Sequence, residues 1–515
     1  MHSPRKEIPR YSDCIQNLEA GRRMKIKDML QGVPTVQFHG NEEEEVKGIA
    51  YSSRSVNPGY LFAALRGEFK NGFHFIPEAI SKGATTILSE RPMPSEFDIN
   101  WIQVQETRKS LALCSANFFH HPSRQLKVVG ITGTKGKTTI TYMIESILKA
   151  AAFSPGVIGT ISYRGPGLSM TAARTTPEAP DLQRLMQNMV KKDATHCVME
   201  VSSHSLELER VTGVDFDVAV FTNLSGEHLD YHQTMERYFE AKKKLFFLPA
   251  QKKTMAVINT DNAWGKNLIE ELHMGAITYG LEPSALVRAE EFSLTERGIE
   301  LGVRYPAGKM QISSPLLGRP NLYNILAAVA SALILKVPES KITTGISSLQ
   351  GVPGRFEKIQ NSFGMHIFVD YAHNDDALRQ LLETAKELAV KKTIVVFGAG
   401  GDRDKSKRSR MGEAAGRLAD YSIITSDNPR SEDPLVIIAE IERGMKKSGS
   451  KQYEVIPDRK EAIARALDIG EAGDYILVAG KGHEDYQILK DRIIHFSDAE
   501  VILELLEKRR KTQIG

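Results

Sequence analysis

Between residues 126 and 247, short apolar runs alternate with longer segments in which apolar residues recur every three or four positions. That is the rhythm of strands feeding helices in a parallel sheet. It predicts strands at Lys127–Thr132, Gly156–Ser162, His196–Val201 and Phe216–Asn223, helices starting at Lys137 and Ala179, and a helix reaching Phe247. Asn321–Leu335 reads as one largely buried helix. After Gly351-Val352-Pro353-Gly354, the best linker candidate, the alternation restarts with strands at His366–Asp370, Thr393–Gly398, Tyr421–Ser426, Tyr453–Ile456 and Asp474–Ala479. Upstream, residues 45 to 125 carry short strands and helices broken at Asn57-Pro58-Gly59 and Lys82-Gly83-Ala84, and close near His121-Pro122-Ser123. Residues 1–23 are polar without clear period, and are expected to be a disordered extension or an upstream start that the cell does not use.

Composition narrows the partners. A chain of 515 residues exceeds one ordinary core and suggests about three domains. A net charge of +3 gives no global basic field for nucleic acid or an anionic membrane, so any basic site must be local. Cys14, Cys114 and Cys197 are odd in number and far apart, which argues against a disulfide framework or a cysteine-ligated zinc. The longest apolar run, Ile325 to Leu335, is too short to span a bilayer, and the N-terminus lacks the apolar core of a signal peptide. A cytoplasmic protein with no membrane insertion is expected.

The chemistry begins where the strand Lys127–Thr132 breaks into Gly133-Thr134-Lys135-Gly136-Lys137-Thr138-Thr139. Loop glycines let backbone N–H groups crowd a polyphosphate, the helix start adds its positive end, Lys137 supplies a cation and Thr138 offers a hydroxyl to Mg2+. The spacing departs from the usual phosphate loop, because Ile131 stands five before Gly136, yet the lysine–hydroxyl pair is kept. The plain alternative is a glycine turn joining a buried strand to a helix. With ATP as the expected nucleotide, the fold class is α/β in three domains. These are a small α/β domain at 24–125, a central doubly wound sheet of the P-loop ATPase type at 126–350, and a Rossmann-like domain at 351–515.

Nearly every other polar cluster follows a predicted strand. Glu200 ends an apolar strand, where a bare carboxylate would be costly and a metal would satisfy it. The run Thr222 to His232 gathers Glu227, His228, Asp230 and His232 in a loop, an oxygen-rich set suited to Mg2+ held against phosphates, although a loop histidine such as His228 is alone more often a surface group. Glu240 to Phe247 reads by composition as a solvated charged helix face. Gly398-Ala399-Gly400-Gly401 fails as a dinucleotide fingerprint, because Arg403 occupies the place of its third glycine.

Gly133 to Thr139, Glu200 to Ser205, His228 to His232, Ala241-Lys242, Gly318 to Asn324, Gly354-Arg355-Phe356-Glu357 and Asp370-Tyr371-Ala372-His373 occur in the order seen in Mur ligases, and the chain resembles that family from Met24 onward. The resemblance implies an ATP-dependent ligase that forms an amide through an acyl phosphate in peptidoglycan precursor synthesis. It implies that Lys242 is carboxylated by CO2 to a carbamate which, with Glu200 and His228, holds one Mg2+ while Thr138 and Glu200 hold another. By the same resemblance Asn324 contacts adenine, Arg355 the γ-phosphate and Asp370 the ribose, and closure of the third domain assembles the site. Asp427-Asn428-Pro429-Arg430 and Gly480 to Gln487 resemble the branch that takes meso-diaminopimelate, where Arg430 and Arg403 meet carboxylates and Gly480 and Glu484 receive the distal amino group. Without the family context Arg430 reads as a turn arginine in solvent.

The acceptor implied is UDP-N-acetylmuramoyl-L-alanyl-D-glutamate. Ser53 and His74 are the candidates for its uridine-diphosphate end, and Thr175, Thr176, Ser203, Arg210 and Lys242 for its dipeptide. Ser52, Glu227 and Asn374-Asp375 depart from the residues usual at those places. The alternatives are the same reaction with L-lysine, a ligase like folylpolyglutamate synthetase, and a non-catalytic nucleotide-binding scaffold. A monomer is expected.

Overall fold

The computed structural model describes residues 22–67, 70–389 and 391–514, with side chains to 512. The extension expected at 1–23 therefore lies, as far as residue 21, outside the described residues, as does Cys14. Arg22 itself donates to the Phe118 carbonyl at 2.8 Å. The chain divides into two compact units. The first comprises Met1–Arg288, Arg304–Gly308 and Asn324–Gly345, and the second Ala289–Val303, Lys309–Tyr323 and Ile346–Gly515.

Besides the short antiparallel pair Met24–Lys25 with Glu45–Val46, the first unit is built on a smaller and a larger sheet. In the smaller, Gly48–Ala50, Tyr60–Ala63, Ala84–Ser89 and Asn100–Val104 run parallel, and Thr35–His39 pairs antiparallel with the last of them. In the larger, Pro155–Ile158, His196–Glu200, Lys127–Thr132, Val218–Phe221, Met255–Asn259 and Ala276–Gly280 lie side by side and parallel. Their residues are almost wholly apolar because both faces are covered. On one covering helix, Lys137–Ala150, the buried Ile140, Met143, Ile144, Ile147 and Leu148 recur at helical spacing. Each such side chain contributes about 2 kcal/mol by leaving water. Register does the positioning, since Glu200 pairs with Ile131 and Phe221 with Thr132. The phosphate loop, Glu200 and the loop after Phe221 thus leave one edge of the sheet together.

The strand expected over Gly156–Ser162 is two strands. Pro155–Ile158 stops, and Ser162–Gly165 returns antiparallel, pairing Tyr163 with Ile158. The break is driven by Glu200. The Thr160 amide donates to its Oε1 at 2.8 Å, and a Cβ on Gly159 would fall 2.5 Å from the same oxygen.

The second unit is built on the sheet Glu357–Ile359, His366–Asp370, Tyr475–Ala479, Thr393–Phe397, Tyr421–Ile424 and Tyr453–Val455, parallel except for its first strand. Alternate residues enter separate cores. Phe368, Val395, Ile424 and Leu477 pack with Leu378, Met411 and Ile441, while Ile367, Ile394, Ile423 and Ile476 pack with Ile463 and Ile502. This doubly wound arrangement sends the segments after Asp370, Phe397, Ile424 and Ala479 to the carboxyl edge, where open α/β sheets bind ligands. A hairpin, Tyr486–Ile488 with Ile493–His495, and the helix Asp498–Ile514 follow. Among the described residues, no helix is long and apolar enough to cross a membrane.

Candidate active site

The phosphate loop has the backbone its glycines require. Gly133 and Gly136 have φ of +140° and +88°, and a Cβ would lie 1.9 Å from Thr222 Oγ1 at the first and 2.5 Å from Asn324 Oδ1 at the second. Asn324, from the helix Arg319–Ile334, therefore lies against the loop. Lys137 Nζ donates to the Gly133 and Thr134 carbonyls at 2.8 and 2.9 Å, so the cation curls over its own loop. Lys135 N donates to Asn223 Oδ1 at 3.0 Å, and the buried Thr134 hydroxyl approaches Tyr238 and Ser225 instead of the loop's open side. Thr139 is buried on the first helical turn.

Glu200 has protein donors on both of its carboxylate oxygens. Thr160 N donates to Oε1 at 2.8 Å, and the Thr160 and Thr138 hydroxyls donate to Oε2 at 2.9 and 3.0 Å. The residues still fit Mg2+. Two oxygens 3.0 Å apart match neighbouring corners of an octahedron with bonds of about 2.1 Å. Among the described residues no three His, Cys, Asp or Glu side chains form a ready metal cage, so the remaining ligands would come from phosphate and water.

Beside this pair lie the residues expected for the acceptor. Thr175 Oγ1 is 3.1 Å from Thr160 Oγ1. Thr176 is buried and spans Glu200 O and Ser202 N at 2.8 and 3.1 Å, which gives its hydroxyl a scaffolding task. Arg210 bonds Thr176 O at 3.2 Å and Glu178 at 2.9 Å. Arg108 and Arg174 reach the same Glu178 carboxylate at 3.3 and 3.8 Å, leaving an excess of positive charge that suits an acidic substrate. Ser203 is buried against His232 Nε2 at 2.9 Å. In the smaller sheet, Ser53 donates to Glu78 at 2.8 Å and His74 is exposed on the turn Gly72–Phe75.

Lys242 is 1% exposed, which overturns the solvated-face reading of its helix at this position. Its Nζ donates to Gly133 O at 2.8 Å and lies 4.4 Å over the Tyr238 ring. Burial pushes this amine well below its usual range and Lys137 adds to the effect, with Glu227 opposing. A neutral amine is the form that reacts with CO2. His228, at φ +57°, is also held below its usual range by burial, with Glu227 opposing and Lys137 and Lys242 assisting. It packs 4.9 Å from His204, which burial and His228 push down to about 4. These neutral imidazoles suit metal ligation.

In the second unit, Arg355 lies 5.0 Å over the Tyr371 ring, and Asp370 accepts from Phe356 N at 2.7 Å and Ala372 N at 2.8 Å. Arg430, at φ +53°, donates to Gly401 O at 2.7 Å. A Cβ on Gly400 would meet Arg430 Nη1 at 2.8 Å and Arg403 Cγ at 3.9 Å, so both arginines flank that glycine. Asn428 Nδ2 donates to Glu484 at 2.9 Å, and Pro429 is buried beside it. Gly480, at φ +118°, would carry its Cβ 3.0 Å from Asp427 Oδ2. Asp427, Asn428, Gly480 and Glu484 thus form one cluster.

Several participants were not singled out from sequence. Thr160 stands 40 residues before Glu200 and carries no local signal. His204, Tyr371 and Lys481 sit inside quoted motifs, and nothing in their spacing revealed what they touch.

Residues 131–332 match the Mur ligase middle domain, 354–482 the Mur ligase glutamate ligase domain, and 45–119 the catalytic domain of the Mur ligase family. The chain is 42% identical to the UDP-N-acetylmuramoyl-L-alanyl-D-glutamate--2,6-diaminopimelate ligase of Alkaliphilus metalliredigens (strain QYMF), over 94% of this chain and 98% of that one. It is also 42% identical to the ligase of that name from Geobacter metallireducens (strain ATCC 53774 / DSM 7210 / GS-15), over 93% and 98%. A solved structure of a ligase of the same name superposes with a TM-score of 0.68 at 31% identity, covering 95% of this chain and 99% of the other.

Proposed function

The chain belongs to the Mur ligase family, and from that premise we propose that it joins meso-2,6-diaminopimelate to UDP-N-acetylmuramoyl-L-alanyl-D-glutamate in peptidoglycan precursor synthesis, in the cytoplasm. The observation that carries the reading is the Asp427, Asn428, Gly480 and Glu484 cluster with Arg430 nearby, on a chain whose relatives bear the name of that ligase along almost its full length.

The D-glutamate γ-carboxylate attacks the γ-phosphorus of ATP. The bond to the bridging oxygen breaks, ADP departs and an acyl phosphate forms. The amine then attacks the acyl carbon, phosphate leaves with the C–O electron pair, and the amine loses a proton. Little covalent work falls to the protein, so rate comes from positioning and charge. Lys137 exchanges its loop carbonyls for phosphate oxygens, and Arg355 adds a second cation at the γ-phosphate. Asn324 and Asp370 hold adenine and ribose. Thr138 and Glu200 would hold one Mg2+, and Glu200, His228 and the carbamate of Lys242 a second, which together supply charge neutralisation on the transferring phosphoryl group. Ser53 and His74 bind the uridine-diphosphate end, and Thr175, Thr176, Ser203 and Arg210 the dipeptide. Arg430 forms two parallel hydrogen bonds to the carboxylate that lysine lacks, and Arg403 meets the other.

Hydroxylamine tests the first half-reaction. With ATP and the UDP-dipeptide it should give a hydroxamate at the γ-carboxyl, with ADP released. Hydroxamate formation independent of ATP, or its absence alongside normal tripeptide synthesis, would contradict the acyl phosphate.

A further inference from the structure

The amine end of the second unit contains a cation that the reaction above leaves without a task. Lys481 is 0% exposed. Its Nζ lies 3.4 Å from Asn428 Oδ1, 3.5 Å from Glu484 Oε2 and 3.9 Å from Asp427 Oδ1, and donates to the Tyr486 carbonyl. Three groups that receive the diamino acid therefore converge on one ammonium. Asn428 Oδ1 also accepts Ile488 N at 2.9 Å, which turns Nδ2 toward Glu484. The neighbouring Arg459 is matched by Asp498, with both bonds at 2.7 Å. Asp427, Glu484 and Lys481 are left with one net negative charge. Among the described residues Asp427 Oδ1 is buried without a hydrogen-bond partner, so the group that completes it is a donor.

We propose that Lys481 is a positioning residue for the diamino acid. It holds Asn428 and Glu484 in the orientation that receives the distal ammonium, and it limits the pocket to the single negative charge that the ammonium balances. The inference rests on the function proposed above. Its chemistry is electrostatic. Two buried carboxylates without a fixed cation do not both stay ionised, and the proton that one of them takes up removes an acceptor from the substrate.

Glu484 is the group that responds. Burial raises it above the usual carboxylate range, Lys481 opposes and Asp427 adds to the rise. The groups facing it are Lys481, Asp427, Asn428, Tyr371 at 3.4 Å, Tyr486 and Arg459. Loss of Lys481 raises Glu484 further, so its neutral form persists to higher pH.

The test uses the full chain with Lys481→Gln, which keeps a donor for Tyr486 O, and Lys481→Met. Each is assayed with diaminopimelate, ATP and the UDP-dipeptide varied in turn, across pH. In both variants KM for diaminopimelate should rise about tenfold or more near neutral pH, the scale expected for a buried charge left unpaired. It should recover as pH rises, while KM for ATP and for the UDP-dipeptide stays put. An unchanged KM for diaminopimelate, an equal rise for all three substrates, or collapse of the fold in both variants would overturn the proposal. If the unmodified chain makes no tripeptide from any amine, the functional reading falls too. If it does and Lys481→Gln behaves normally, only this inference falls.

Discussion

Lys242 and Lys481 are both buried, and their surroundings are opposite. Lys242 has a carbonyl, an aromatic face and another lysine near it, with Glu227 acting at longer range. Lys481 has Asp427 and Glu484 within 4 Å. Burial favours the neutral amine in the first setting, the form that the proposed reaction with CO2 requires. In the second, two carboxylates lie beside the side chain, and the proposed task is to organise a binding pocket. Burial of a lysine thus says little about its task until its partners are named.

The largest expected effect comes from a third lysine that sharpens this contrast. Lys137→Ala should lower acyl-phosphate formation by about 1,000-fold or more, because it removes the cation that the loop itself supplies to the transferring phosphate and leaves Arg355 alone there. ADP release and hydroxamate trapping should fall together. Lys242→Ala comes next, with a loss of about 100-fold in kcat and partial recovery on adding a short-chain carboxylic acid. Normal turnover without the acid would break the contrast, since the buried amine would then have no chemical role. In the second unit, Arg430→Ala should reduce the preference for diaminopimelate over lysine by about tenfold to a hundredfold, read as the ratio of kcat/KM for the two amines. A uniform fall for both amines would make Arg430 structural.

The smallest effect concerns stability. The Glu484 carboxyl is raised in the folded chain by burial, so its protonation stabilises the fold at low pH, and that contribution disappears as pH climbs through the folded value. Glu484→Gln should therefore raise Tm slightly at neutral pH and not in acid, while weakening amine binding. A lower Tm at neutral pH would show that the carboxylate stabilises the pocket it serves.

Much of the scaffold was legible because local signals were strong. The strand Lys127–Thr132 and the helix starting at Lys137 fall where the apolar run and the glycines place them. The five strands expected in the second unit differ from the observed ones by at most two residues at an end, whereas the antiparallel edge strand Glu357–Ile359 was not expected. The break after Ile158 was not legible, because Gly159 and Thr160 turn to meet Glu200, a contact set by the pairing of Pro155–Ile158 with His196–Glu200. Burial of Lys242 was likewise hidden. Its neighbours Lys243 and Lys244 are charged and look alike in sequence, and only the direction of the helix face separates them. Lys481 shows the same limit, since Asp427 and Asn428 reach it from the end of another strand.

The most direct measurement is the mass of the product formed from UDP-N-acetylmuramoyl-L-alanyl-D-glutamate and ATP with Mg2+, in parallel with meso-diaminopimelate, L-lysine or no amine. A tripeptide formed with diaminopimelate and not with lysine is the predicted result. Product with lysine in preference, or no product with either amine, would contradict it.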